Sequence, residues 1–173
     1  MELYVVILVL VLGIIVTFGM YLTITTVADK IFTKQRLDIR AKNNEMTLPL
    51  RLQAYERMCL FLERITPANL LLRLVASTEN AKELQTLLLH EIREEYNHNL
   101  AQQIYISSDA WEQVSNAMNK VVSIVNQAAG SIPADAPPTD LAKTIMAKVI
   151  ETTEQPSTHA LKFIKNEVQM LFK

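Results

Sequence analysis

From Leu3 to Ala28 the chain runs for 26 residues without a formal charge, and Leu, Ile and Val dominate that run. As an α-helix rising about 1.5 Å per residue it would be about 39 Å long, against a bilayer hydrocarbon core of about 30 Å. The segment can span with some tilt, and it predicts a transmembrane anchor over residues 1–28. A cleaved signal peptide would instead open on a basic region, carry an apolar core of about 7 to 15 residues and end at a small-residue cleavage site. Here only Glu2 precedes the run and the positive charges follow it. An uncleaved anchor is therefore expected, although Val27 and Ala28 have the residue types of a cleavage site.

The mean hydropathy of +0.14 is high for a chain that lives in water. The excess lies in the N-terminal block, and the remainder has an ordinary soluble value and the length of one domain. Lys30, Lys34, Arg36, Arg40 and Lys42 follow the apolar run, opposed by Asp29 and Asp38. Basic residues beside a span stay on the cytoplasmic side, so the N-terminus is expected in the periplasm and the C-terminal domain in the cytoplasm. The five basic residues are expected at the membrane surface, against anionic headgroups. The span holds no Asp, Glu, Lys, Arg or His to carry a proton or ion, and reads as an anchor. Gly13 with Thr17, and Gly19 with Thr23, have the small-xxx-small spacing that lets helices approach closely.

Beyond the anchor the pattern is helical throughout. Residues 29–47 read as a basic juxtamembrane helix or linker, residues 48–130 as the main helical domain, 131–138 as a Pro-rich linker, and 139–173 as a C-terminal helical hairpin. Leu52, Tyr55, Cys59 and Leu62 form one stripe; Thr66 and Pro67 start a short apolar helix. Ser77 or Thr78 is expected to cap a longer helix carrying Leu84, Leu88, Ile92, Tyr96, Leu100 and Ile104 every four residues. Ser108 and Asp109, with Glu112 in capping-box spacing, open a helix whose Trp111, Val114, Met118, Val121, Val125 and Ala128 keep three-four spacing up to Gly130. Thr139 and Asp140 then cap a stripe of Leu141, Ile145 and Val149. Ser157 and Thr158 start the last one, Leu161, Ile164, Val168 and Leu171. No run alternates for long enough to be a strand. The fold class is all-α: one N-terminal transmembrane helix followed by a small cytoplasmic helical bundle.

Several function classes are excluded by composition. The chain has 17 basic and 18 acidic residues, and one cysteine, which leaves neither a disulfide framework nor a thiolate metal cluster. Three glycines cannot build a phosphate loop or a dinucleotide fingerprint. Residues 52–173 carry 11 basic against 14 acidic groups, an unsuitable surface for nucleic acid.

One constellation has metal-ligand character. Glu91, Glu95 and His98 share a helix face, and Glu95 with His98 has the Glu-x-x-His spacing of carboxylate-bridged di-iron bundles. That chemistry needs two such pairs and two further Glu residues. His159 has no Glu three residues before it, so the second pair is missing. A solvated charged face is the expected explanation, and no cofactor is expected. Cys59 lies on an apolar stripe with no base at helical spacing, and reads as a buried thiol. Trp111 has two readings, core residue or binding anchor. Asn97, Asn99, Gln102 and Gln103 are either an exposed amide face or a polar contact surface.

The stretch from Glu95 to Ser107, with Trp111 just beyond it, and the segment Arg51 to Arg57 resemble a family of uncharacterised single-span inner-membrane proteins of Bacteroidota, a domain of unknown function. The resemblance implies a bacterial inner-membrane protein and carries over no activity or functional residue. Taken with the residues, it leads to the expectation of a non-enzymatic, membrane-anchored helical docking protein. It would be an accessory subunit of an inner-membrane assembly, with the lipid bilayer and other membrane subunits as partners and self-association as a further option. The competing class is a metal-binding helical-bundle enzyme using Glu91, Glu95 and His98. A stalk would want one uninterrupted helix, against which Pro67, Pro133, Pro137, Pro138 and Pro156 argue.

Overall fold

A computed structural model describes residues 1–152 and 155–172, with the backbone alone at residues 5, 6, 9, 11 and 40. Among the described residues the protein is helical, without strands. The helices are α1 (Glu2–Arg64), α2 (Pro67–Leu74), α3 (Ala81–Asn99), α4 (Ser108–Ala129), α5 (Pro138–Glu151) and α6 (Pro156–Met170). Short 3-10 segments follow α2 at Val75–Ser77 and α3 at Leu100–Ile104. The chain divides into two compact units, Met1–Leu48 and Pro49–Lys173.

The apolar run, the basic segment and the first amphipathic stripe all belong to α1, which contains Pro49. A proline there removes one N–H, so the carbonyl four residues earlier, Glu45, lacks its usual intrahelical donor. Glu45 and its neighbours Asn44 and Met46 are exposed, and water can serve that carbonyl.

Within Pro49–Lys173, α4 packs against α3, α5 and α6, while α2 and α3 also pack against α5. The three-four stripe of α4 explains its central place: Val114, Val121, Val125 and Ala128 are buried, joined by Ala110 and Ala117. Trp111 and Met118 are half-buried at its margin. Leu84, Leu88 and Ile92 come in from α3, Leu141, Ile145 and Val149 from α5, and Ala160, Leu161 and Ile164 from α6. Each fully buried Leu, Ile or Val contributes about 1.5 to 3 kcal/mol by leaving water.

Residues 49–64 present Ala54, Tyr55, Met58, Phe61 and Leu62 to this core, with Ile65 just beyond. The buried stripe is therefore turned relative to the expected one: Leu52 and Cys59 lie at its half-buried edge, and Met58 and Phe61 at its centre. Ile65 and Leu70, at staple spacing around Thr66 and Pro67, are both about 1 % exposed.

The helix ends differ from expectation in instructive ways. The cap of α3 is Asn80, not Ser77 or Thr78: its side chain accepts from the Glu83 N–H at 2.9 Å, and Glu83 reaches back to the Glu79 N–H. Two more first-turn donors are taken by the Pro-rich segment, since the Ala81 and Lys82 N–H groups donate to the carbonyls of Ala136 and Ala134. That segment is largely exposed, yet its backbone closes a helix end. Ser107 caps α4 in place of Asp109, accepting from the Ala110 N–H at 3.0 Å. Thr66 is the N-cap residue of α2 as expected, but its side chain makes no cap bond, because its hydroxyl donates back to the Leu62 carbonyl. Helices α5 and α6 open on Pro138 and Pro156 at their first positions, with Pro137 and Gln155 as N-caps, so Thr139, Asp140, Ser157 and Thr158 fall inside the first turns. The period-four stripe of α3 stops at Asn99, where the backbone tightens to 3-10 geometry. Leu100 and Ile104 are left exposed.

Candidate functional site

Three regions carry the candidate functional residues. In the first, the apolar part of α1, large side chains are exposed on every face: Leu12, Ile14, Ile15, Val16, Phe18 and Leu22 among them. Among the described residues this is the one helix long and apolar enough to cross a membrane. Its hydroxyls are satisfied within the helix. Thr17 donates to the Gly13 carbonyl at 2.9 Å, Thr23 to Gly19 at 3.1 Å, Thr25 to Tyr21 at 3.0 Å and Thr26 to Leu22 at 2.7 Å. Such back-bonding removes the cost of a bare hydroxyl in an apolar solvent. Gly13 and Gly19 face open space. Further on, Lys30, Lys34, Arg36 and Lys42 are exposed; the side chain of Arg40 lies outside the described residues.

The second region is the outer face of α3. Glu95 is held by Arg64 of α1, with Nη1 3.1 Å from Oε2 and 3.2 Å from Oε1. Glu91 Oε2 lies 4.0 Å from Nη1 of Arg73 on α2. His98 is exposed. Among the described residues no three His, Cys, Asp or Glu side chains are grouped to hold a metal ion. The two carboxylates instead face arginines from neighbouring helices, which complements their charge across the α3 surface.

The amide residues separate. Asn99 is buried, and its Nδ2 donates to the Glu95 carbonyl at 2.8 Å and lies 3.4 Å from Glu95 Oε1. Asn97 and Gln103 are exposed and Gln102 is half-buried. Trp111 stacks on Tyr96 at 5.4 Å between ring centroids, and Tyr96 meets Phe61 at 5.9 Å in a tilted pair. The three rings tie α1, α3 and α4 together. Tyr96 Oη also lies 3.1 Å from Ser115 Oγ, so its polar end is satisfied.

The third region joins residues that the sequence did not bring together. Tyr55 Oη donates to Glu167 Oε1 at 2.7 Å, and Ser107 Oγ donates to Glu167 Oε2 at 2.9 Å. Arg51 Nε donates to the Tyr105 carbonyl at 3.2 Å alongside. One carboxylate on α6 thus joins α1 to the N-cap of α4. Burial, then the hydrogen bond to Glu167, raises the pKa of Tyr55, and the nearby Arg51 partly opposes this. Beside this node a groove of about 380 Å³ opens between α1 and α6, lined in part by Leu52, Cys59, Lys165 and Val168. Burial pushes the Cys59 thiol up despite Lys165, so at neutral pH it is protonated and a poor nucleophile. A faint signal existed in the sequence: Glu167 is an acid inside the apolar stripe of α6, immediately before Val168.

Residues 1–171 match the family of unknown function DUF7935. No curated protein and no solved structure matches the chain.

Proposed function

The chain belongs to this family, and we propose that it is a non-enzymatic docking subunit, anchored by α1 in the inner membrane of a Bacteroidota bacterium. Its helical bundle, residues 49–173, would stand in the cytoplasm and bind another subunit of a membrane assembly. The observation that carries this reading is the exposure of large apolar side chains on every face of α1 between Leu12 and Val27. A helix of a water-soluble fold buries one stripe and wets the opposite face, whereas a helix apolar all round needs an apolar solvent. The exposed Lys30, Lys34, Arg36 and Lys42 support the orientation through the positive-inside bias.

The bundle supports docking over chemistry. Three of its carboxylates are engaged in holding helices together: Glu95 with Arg64, Glu91 opposite Arg73, and Glu167 with Tyr55 and Ser107. Its exposed large apolar residues include Leu60, Leu72, Ile104 and Ile150, which leaves apolar surface for a partner.

The test has two parts. The full chain should stay with the membrane fraction through alkaline carbonate extraction, and a fluorescent reporter fused after Lys173 should be active from the cytoplasm. Release by carbonate would remove the anchor, and a fusion active only in the periplasm would reverse the orientation. Purification in mild detergent should then bring down larger membrane subunits. Recovery of the chain alone, with turnover of a substrate, would replace docking by catalysis.

A further inference from the structure

Past the apolar run, α1 changes composition and acquires a pattern. Residues 29–48 hold eight charged side chains, so this part of the helix is suited to water. Within it Phe32, Ile39 and Met46 are 61, 60 and 59 % exposed. They recur every seven residues, which keeps all three within about 40° of one another round the axis. Ala28, Gln35 and Lys42 stand four residues before each of them. The six together have the alternating four-three spacing of a heptad seam, over about 27 Å of helix.

Leu37 shows that this is a stripe and not general apolarity. It is 58 % exposed, but two residues before Ile39 it falls on nearly the opposite side, among Lys30, Thr33, Lys34, Asn44 and Thr47. The bilayer surface is a poor cover for the stripe. Helix α1 is unbroken from Glu2, with Pro49 as its one internal proline, so residues 29–48 prolong the axis of the apolar run instead of lying back across the membrane.

We infer that a second copy of this chain covers the stripe, in a parallel, in-register helix pair centred on Phe32, Ile39 and Met46. The inference rests on the membrane-anchor reading above and names a partner for it. Two copies anchored in one membrane with the same orientation carry each residue at the same height, so identical stripes meet without a shift. Anchoring also raises the effective concentration, which compensates a seam too short to pair firmly in free solution. The charges fit this arrangement. Asp38 flanks the seam on one side and meets the neutral Asn43 of the other copy, while Ile31 meets Arg36, so neither contact joins like charges. Gln35 can bond its own counterpart across the seam. Lys42 can lay its stem along the seam and carry its ammonium out to Asp38 or Glu45, four residues before it and three after. Polar groups in such a seam cost stability and fix register. Gly13 and Gly19 lie off this stripe, so the pair does not depend on them.

The test uses the full chain carrying Cys59→Ala in native membranes, with one further substitution per variant: Gln35→Cys or Lys42→Cys on the seam, Thr33→Cys or Asn44→Cys on the outer face. Under mild oxidation the two seam variants should form an intermolecular disulfide at least about fivefold faster than the two outer ones, since only their Cβ atoms face a counterpart. Ile39→Glu added to the Gln35→Cys variant should slow its disulfide formation at least about fivefold, whereas Leu37→Glu should leave it within about twofold. Equal rates at the four positions, or equal effects of the two glutamate substitutions, would overturn the pair. Alkaline carbonate extraction keeps this outcome apart from the anchor. A chain retained in the membrane with equal rates loses the pair and keeps the anchor; a chain released with the seam preference intact keeps the pair and loses the anchor.

Discussion

The hydroxyl of Tyr55 donates a 2.7 Å hydrogen bond to Glu167, 112 residues further along the chain. The same carboxylate accepts from Ser107, so α1, the start of α4 and α6 meet at one charged group. Tyr55→Phe removes a hydrogen bond to a carboxylate and should lower stability by roughly 1 to 3 kcal/mol in denaturant melts. The raised pKa of Tyr55 adds a pH signature. The folded protein holds the phenolic proton more tightly than the unfolded chain. Its contribution is therefore complete below about pH 10 and is lost as pH rises through the folded-state value. Melts of the wild type between pH 8 and 11.5 should show a downward slope at the alkaline end that is shallower in Tyr55→Phe. Equal slopes would mean that Tyr55 is not held as described.

Ser107 serves twice, as N-cap of α4 and as donor to Glu167, whereas Asn80 serves α3 alone. Ser107→Ala should therefore cost about 2 to 3 kcal/mol, against about 1 kcal/mol for Asn80→Ala. Thr78→Ala, outside the capping position, should be close to neutral. If Thr78→Ala were the more damaging of the α3 pair, the start of that helix would have to be moved.

Phe61 and Leu60 are neighbours with opposite fates, 1 % and 56 % exposed. Phe61→Ala opens a cavity in the core and loses the edge of the aromatic chain to Tyr96, at a cost of about 3 to 5 kcal/mol. Leu60→Ala should change stability by less than about 0.5 kcal/mol. Thermal melts of the two variants test the rotation of the α1 stripe, and a large effect at Leu60 would point to a surface already covered in the folded protein.

For the Glu91, Glu95 and His98 face, elemental analysis of the purified chain should give zinc, iron and manganese well below one per chain. Glu95→Ala and His98→Ala should leave those values unchanged. Because the Arg64–Glu95 pair is partly exposed, Glu95→Ala should lower stability by less than about 1 kcal/mol. A stoichiometric metal lost in either variant would bring the enzyme class forward.

Much of the helical pattern was legible because spacing and burial obey the same periodicity. Val114, Val121, Val125 and Ala128 repeat at three-four intervals and are buried; Leu141, Ile145 and Val149 behave likewise. Extrapolating a period fails where the backbone changes: Leu100 and Ile104 continue the count of α3 but lie past Asn99, in a 3-10 segment that turns them outward. Helix starts were legible to within a few residues only. Ser77, Thr78 and Asn80 all have capping chemistry, and what accompanies Asn80 is a pair of carbonyls, Ala134 and Ala136, from the far side of α4. The same holds for Glu167. Nothing in its neighbours along the chain indicates that a tyrosine and a serine from two other helices will meet it, since such meetings depend on how helices pack and not on local pattern.

The carbonyls of Ala134 and Ala136 that receive the first N–H groups of α3 have a bearing on synthesis. Ribosomes release the chain from its N-terminus, so α3 emerges with two of its leading donors open and keeps them open until the Pro-rich segment has followed. Glu167 arrives later still, and with it the hydrogen bond that fastens Tyr55. While the apolar run of α1 is already complete, the helices that follow it wait for their closing residues. A ribosome stalled between Gly130 and Pro156 would therefore present a half-capped, unfastened bundle, the state in which a chaperone or protease would find it.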